Sequence, residues 1–151
     1  MHTIVRKYVK TGFFFLCFGL LTGLYMVVGE YLLPLPVTSL LVTAHTHIIL
    51  VGFMMMMILG VAQWMFPRPR GENPAYSPAV AEFVFYTITI GISIRSIGEI
   101  ISAFLESQFF IFLIVIGSVI EVIAIFMFFI NIWSRIRPVG SQIREAAGEK
   151  F

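Results

Sequence analysis

Four long apolar stretches account for most of this 151-residue sequence, at about residues 11–29, 38–66, 78–105 and 108–133. Each is long enough to cross a bilayer as an α-helix, which takes about 20 apolar residues. Charged residues make up 12% of the chain and aspartate does not occur, whereas a soluble domain carries about 25% charged residues. The sequence therefore predicts an all-α membrane protein whose single domain is a bundle of four transmembrane helices.

The basic residues indicate how this bundle is oriented. Nine of the ten lie at the N-terminus, between the second and third stretches, or in the polar tail at 134–151, while the other two connections carry only Glu30 and Glu106 as charged residues. The positive-inside rule then places both termini and the tail in the cytoplasm. No small-residue cleavage site follows the first stretch, so we expect it to be retained as a helix. A multi-pass protein of a bacterial or archaeal cytoplasmic membrane is the predicted localisation.

Several classes of function are excluded at this stage. The net charge of +2 is too small to indicate a nucleic-acid partner. The lone cysteine, Cys17, provides neither a disulfide framework nor a CxxC motif. No nucleophile arrangement, glycine-rich phosphate loop or HExxH pattern suggests a hydrolase or kinase. The function is therefore expected to depend on residues inside the bilayer.

Ionisable residues inside the apolar stretches are the most informative feature. Each costs roughly 2.5–3.5 kcal/mol to insert at the centre of a helix, so each requires a structural or functional reason. Counted from the outer ends of their helices, His45 lies about 12 Å deep, and Arg95 and Glu99 lie about 15 and 9 Å deep. With His47 beside His45, two histidines, an arginine and a glutamate are expected to share the outer half of the membrane.

Two interpretations of the acidic and basic residues remain open. Arg95 and Glu99 are four residues apart, which predicts an ion pair on one helix face. Alternatively, the guanidinium binds an anionic group of a ligand, such as a haem propionate. Glu121 near mid-membrane and Glu82 near the inner end are either protonated and hydrogen-bonded or part of a proton path.

The two histidines are two residues apart, about 200° around a helix, so their rings are expected to point to opposite sides. They cannot hold both faces of one haem within one chain. Each is either a hydrogen-bonded core residue or a metal ligand. Gly52, seven residues after His45, lies on the same face and is expected to leave a gap for a flat macrocycle. The run of four methionines at 54–57 favours apolar packing over a copper(I) site.

One motif in the second stretch resembles a known family. It is formed by Thr43-Ala44-His45, a Met-rich helix containing Gly52 and Gly60, and the closing Trp64-Met65-Phe66-Pro67. This pattern resembles the second helix of subunit I of the haem-copper oxidases and their nitric oxide reductase relatives, and Ala44-His45-Thr46-His47 is similar to short stand-alone subunit I-like proteins. The resemblance implies that His45 is an axial ligand of a low-spin haem.

The departures from that family limit what the chain can do alone. No histidine follows His47, so the copper ligands, the high-spin haem ligand and the second axial ligand of the low-spin haem are all missing. Reduction of oxygen or nitric oxide by this chain alone is therefore not expected. His2 is expected at the opposite side of the membrane and so cannot supply the second ligand. The haem is then five-coordinate, takes a methionine, or borrows a histidine from a second copy, and we favour a homodimer.

The leading prediction is an integral membrane haem b protein for electron transfer, or for haem or gas sensing, with a respiratory electron donor or acceptor as partner. His45 is the expected proximal ligand and His47 the second ligand or the ligand of a further haem. Arg95, with Glu99 beside it, is expected to bind the propionates, and Gly52 to make room for the ring. The alternatives are a non-haem copper or zinc protein at His45 and His47, and an ion-conducting, proton-conducting or assembly subunit of a respiratory complex.

Overall fold

Four long helices form the protein in the computed structural model, which describes residues 3–66, 76–136, 143 and 147–148. They are α1 (Thr3–Tyr31), α2 (Ser39–Met65), α3 (Pro78–Ser102) and α4 (Gln108–Trp133), and all four are long and apolar enough to span a membrane. No strand occurs in the described part of the chain. The prediction of an all-α, four-helix, multi-pass integral membrane protein is confirmed.

The helix ends differ slightly from the apolar stretches. α1 begins at Thr3, before the stretch at 11–29, because a helix continues past the apolar region where its basic side chains find partners. Lys7 donates to Glu82 and, at 3.0 Å, to the hydroxyl of Tyr86 on α3. α3 ends at Ser102 rather than at residue 105, because the chain turns through 103–105. Residues 67–75 and most of the predicted tail lie outside the described residues.

Two of the helices begin at N-capping residues that are recognisable in the sequence. The Thr38 hydroxyl caps α2 by accepting from the backbone nitrogen of Leu41 at 3.3 Å. Ser77 caps α3 in the same way, and Pro78 follows at the first helical position, where its missing N–H costs nothing. The carboxamide of Asn131 near the end of α4 pairs with the backbone N and O of Ser77, at 2.9 and 3.2 Å. This pairing joins the end of α4 to the start of α3.

The helices pack mainly in chain order. α1 lies along α2, the pair contacts α3, and α4 lies along α3. The buried core contains residues of all four helices, including Tyr8, Ile48, Met56, Ile88 and Phe128. Large apolar side chains such as those of Phe14, Phe112 and Ile130 are exposed on the outside of the bundle, where lipid would cover them.

α2 is not a regular α-helix along its whole length. Directly after His47, residues Ile48–Met55 form a π-helix, in which the backbone bonds run from i to i+5. Ile48, Gly52 and Met56 are buried and lie four residues apart. In an α-helix each four-residue step drifts by about 40° around the axis. The wider π turn offsets this drift, so that all three residues stay against α1.

The two ends of the bundle differ in their polar residues. We call the end where α1 and α3 finish the histidine end, because His45 and His47 lie near it, and the opposite one the N-terminal end. At the N-terminal end the buried guanidinium of Arg135 donates to the side-chain oxygen of Gln63 at 2.6 Å, to its carbonyl at 3.0 Å and to the carbonyl of Phe66. A cation thus satisfies carbonyls at the end of α2, where the helix dipole favours it.

Candidate functional site

His45 faces α1 and makes a hydrogen bond to its backbone. Its Nδ1 lies 2.9 Å from the carbonyl oxygen of Gly19. The ring packs on Gly23, where an added β-carbon would lie only 2.9 Å from its Cε1 atom. A carbonyl oxygen can only accept, so Nδ1 carries a proton, and in the neutral ring Nε2 keeps its lone pair. No described residue bonds to Nε2.

His47 faces α3 and is engaged through both ring nitrogens. Its Nδ1 lies 2.8 and 3.0 Å from the two carboxylate oxygens of Glu99, and its Nε2 lies 2.7 Å from Nη2 of Arg95. A guanidinium can only donate, so Nε2 is the acceptor and Nδ1 donates to Glu99. His47 is therefore a neutral imidazole in this arrangement. The two rings contact different helices, as their spacing predicts.

Arg95 connects three helices. Its Nε donates to Glu99 at 3.1 Å on its own helix, and its Nη1 donates to Oε2 of Glu121 on α4 at 3.0 Å. Glu99 and Glu121 are 1% and 4% exposed, so this is a buried network. We call His47, Arg95, Glu99 and Glu121 the charged cluster. The predicted Arg95–Glu99 ion pair is present, and the structure extends it to α2 and α4.

Close backbone contact between α3 and α4 brings Glu121 to Arg95. A β-carbon added at Gly117 would lie 2.7 Å from the Arg95 nitrogen and 2.8 Å from the Gly91 oxygen. Only glycine allows helices to approach so closely at this point. Gly117 precedes Glu121 by four residues, as Gly91 precedes Arg95, so each charged residue follows one turn after its contact glycine. That repeated spacing was the available signal for a pair that the sequence analysis missed.

The space expected beside Gly52 is not open. A β-carbon added there would lie 2.8 Å from Cγ of Phe15, so the ring of Phe15 on α1 already fills it. Gly52 does share a face with His45, since both contact α1. The expected gap for a macrocycle is thus occupied by a core side chain. Of the methionine run, Met56 is buried and Met54 is 46% exposed, as expected for packing residues that point in different directions.

The remaining potential ligands are limited. Among the described residues no group of three or more histidine, cysteine or acidic side chains is placed to hold a metal ion. Glu82 lies at the N-terminal end with Lys7, away from the charged cluster. The site residues predicted from sequence thus divide into His45 and Gly52 on the α1 side, and His47, Arg95 and Glu99 on the α3 side. No family model, curated protein or solved structure matches the chain.

Proposed function

We propose that the chain is an integral membrane protein that binds haem b through His45 and serves in electron transfer, or in haem or gas sensing. One observation carries this proposal, namely the 2.9 Å hydrogen bond from Nδ1 of His45 to the Gly19 carbonyl. Histidines that bind metals through Nε2 typically donate their other N–H to a carbonyl or carboxylate, which fixes both the tautomer and the ring orientation. His45 has this arrangement, with an Nε2 lone pair and no described partner.

His47 and Gly52 contribute less to the proposed site than the sequence suggested. Both nitrogens of His47 are used within the charged cluster, so ligation through it would require Arg95 or Glu99 to release it. Phe15 fills the space beside Gly52. Arg95 has five N–H groups and three of them are used here, which leaves two for an anionic group such as a propionate. The proposal therefore rests on His45.

A second copy of the chain would supply the second axial ligand. A two-fold axis along the membrane normal would place His45 of both copies at one depth, where the two rings would hold one haem b between them. Such a haem would supply one-electron transfer. His45 is half-buried on the α1–α2 side of the bundle, and we place the dimer interface there.

The orientation and the electron-transfer partner belong to the same proposal. The basic residues favour a cytoplasmic N-terminal end, which would put His45 in the outer half of a bacterial or archaeal cytoplasmic membrane. A respiratory donor or acceptor on that side is then the expected partner. Fusion of a reporter enzyme that is active on one side only, placed after Glu106 or after Phe151, tests this orientation.

The test of haem binding is a spectrum of the detergent-purified protein, oxidised and dithionite-reduced, with a pyridine haemochrome assay and a mass measurement of the oligomer. We expect a sharp reduced α band and one haem b for every two chains. His45→Ala should lose the haem. Thr46→Val is the matched control, because the Thr46 hydroxyl bonds only to the Val42 carbonyl of its own helix.

Two results would overturn the haem proposal. One is full haem content in His45→Ala, and the other is wild-type protein that stays free of haem after expression with ample haem supply. Stoichiometric copper or zinc in such a preparation would favour the non-haem metal alternative. Metal-free protein that moves protons or ions in liposomes would favour a conducting subunit.

A further inference from the structure

The charged cluster has a defined set of donors and acceptors. Arg95 donates to all three of its partners, and His47 donates from Nδ1 to Glu99. Glu99 therefore faces donors at both of its oxygens, and it accepts from each of them as a carboxylate. Oε1 accepts from Arg95 and His47, and Oε2 shares the same His47 N–H, so these donors favour the carboxylate form of Glu99.

Glu121 is bound differently. Its Oε2 accepts from Arg95, whereas its Oε1 is buried and has no hydrogen-bond partner among the described residues. An unpaired carboxylate oxygen at mid-membrane would be costly, because the medium offers nothing to solvate the charge. A protonated Oε1 carries no such charge.

The charge balance of the cluster also indicates a bound proton. With His47 neutral, one guanidinium faces two carboxylates, which leaves one negative charge uncompensated inside the bundle. Among the described residues, no Lys or Arg other than Arg95 forms an ion pair with the cluster. One additional proton would neutralise the cluster. We propose that the charged cluster is a proton-binding site, and that its proton resides on Oε1 of Glu121 and exchanges through the histidine end.

The direction of exchange follows from the polar atoms around the cluster. On α3, Ser96 and Ser102 lie three residues before and after Glu99, hence near its face, and both hydroxyls are buried without a described partner. Ser102 is the last residue of the helix at the histidine end. Toward the N-terminal end, by contrast, the next buried residues of α4 are Ala124 and Phe128. On α3 the hydroxyls toward the N-terminal end, those of Thr89 and Ser93, are bonded to carbonyls of their own helix, whereas the Ser102 hydroxyl beyond Glu99 has no described partner and lies at the histidine end. This proposal does not depend on haem binding.

Infrared difference spectroscopy of the reconstituted full-length protein tests the assignment. A protonated carboxylic acid has a C=O stretching band that carboxylates lack and that shifts in D2O. We expect the band in the wild type and its loss in Glu121→Gln. Glu99→Gln should also lose it, because removing one negative charge lets Glu121 ionise against Arg95. Glu82→Gln is the control and should keep the band, since Glu82 is half-exposed and paired with Lys7.

A band that persists in Glu121→Gln, or that is absent from folded wild-type protein, would overturn the proposal. Glu121→Gln keeps the shape of the side chain and an acceptor for Arg95, so unfolding should not complicate its spectrum. The direction of exchange is tested by the rate at which the band shifts after transfer to D2O. Ser102→Ala should slow the shift, whereas Ser118→Ala should not, because the Ser118 hydroxyl bonds to the Ile114 carbonyl of its own helix. Equal rates in the two variants would contradict exchange through the histidine end.

Discussion

The α1–α2 and α3–α4 interfaces are both rich in glycine, but they use it in different ways. Between α1 and α2, side chains of one helix pack on glycines of the other, as Ile49 does on Gly19 and Phe15 on Gly52. Between α3 and α4, Gly117 lies against the backbone of Arg95 and Gly91. The first interface is filled by side chains, whereas the second is a contact between main chains.

The two kinds of interface hold different polar residues. Between α1 and α2, where side chains pack on glycines, the ring of His45 lies on Gly23 and its Nδ1 bonds to the Gly19 carbonyl of α1. A main-chain contact cannot yield by a rotamer change, so it holds Arg95 and Glu121 at a fixed distance. We therefore expect substitutions in the α3–α4 interface to cost more stability, and those in the α1–α2 interface to act mainly on His45.

The largest loss of stability is expected from Arg95→Met. Glu99 and Glu121 would remain buried without their cation, and loss of one partner of a buried ion pair costs about 3–5 kcal/mol in the free energy of unfolding. Denaturant unfolding in detergent, followed by tryptophan fluorescence, measures the loss. The triple variant Arg95→Met, Glu99→Gln, Glu121→Gln should regain most of it, because no uncompensated carboxylate remains. Equal stabilities of the single and triple variants would contradict this account.

Gly117→Ala is expected to cause the second-largest loss of stability. Its β-carbon would lie within 2.8 Å of two backbone atoms, which cannot move aside without separating α3 from α4. Overpacking of this kind costs about 1–3 kcal/mol. Gly12→Ala in α1 is the matched control, since its β-carbon would be 3.5 Å from the nearest atom, an ordinary contact with Met57. If both variants melt at the same temperature, the proposed difference between the two interfaces does not hold.

Gly23→Ala should have a smaller effect on stability but a distinct effect on the proposed haem site. The added β-carbon would meet the His45 ring at 2.9 Å, and the ring can turn away at the loss of its bond to Gly19. One neutral hydrogen bond contributes about 0.5–1.5 kcal/mol. We expect a small decrease in melting temperature with a clear decrease in haem per chain. Haem content equal to that of Gly12→Ala would mean that Gly23 does not position the ligand.

The smallest effect is expected from Tyr8→Phe. The Tyr8 ring is fully buried on Gly60 and packs edge-on against Phe85, while its hydroxyl has no described hydrogen-bond partner. Removing a buried, unpaired hydroxyl should leave the free energy of unfolding within about 1 kcal/mol of the wild type or raise it slightly. Tyr8→Leu, which changes the shape of the ring, should cost more. The pair thus separates packing from polarity in the α1–α2 interface.

The sequence was sufficient for the features that depend on spacing along one helix. The four spans, the opposite directions of His45 and His47, and the Arg95–Glu99 pair all follow from apolar length and helical periodicity. Contacts between helices were not predictable in this way. Glu121 reaches Arg95 only because Gly117 packs on α3, and Phe15 fills the space at Gly52 only because α1 lies on that side. From the sequence, Arg135 served only as a basic residue that indicates the membrane orientation, whereas in the structure its guanidinium also donates to carbonyls of α2.

The π-helix at Ile48–Met55 sets the rotation of the His45 half of α2 relative to the closing half of the helix. An i→i+5 turn holds one residue more than an i→i+4 turn, so deleting one residue within this segment lets it return to a regular α-helix with little change in that rotation. The same deletion in the regular turn at 56–58 would rotate one half by about 100° relative to the other, and either His45 would leave α1 or Leu59 and Gln63 would leave the core. The π-helix is therefore a segment in which α2 can lose one residue while both of its halves keep their contacts.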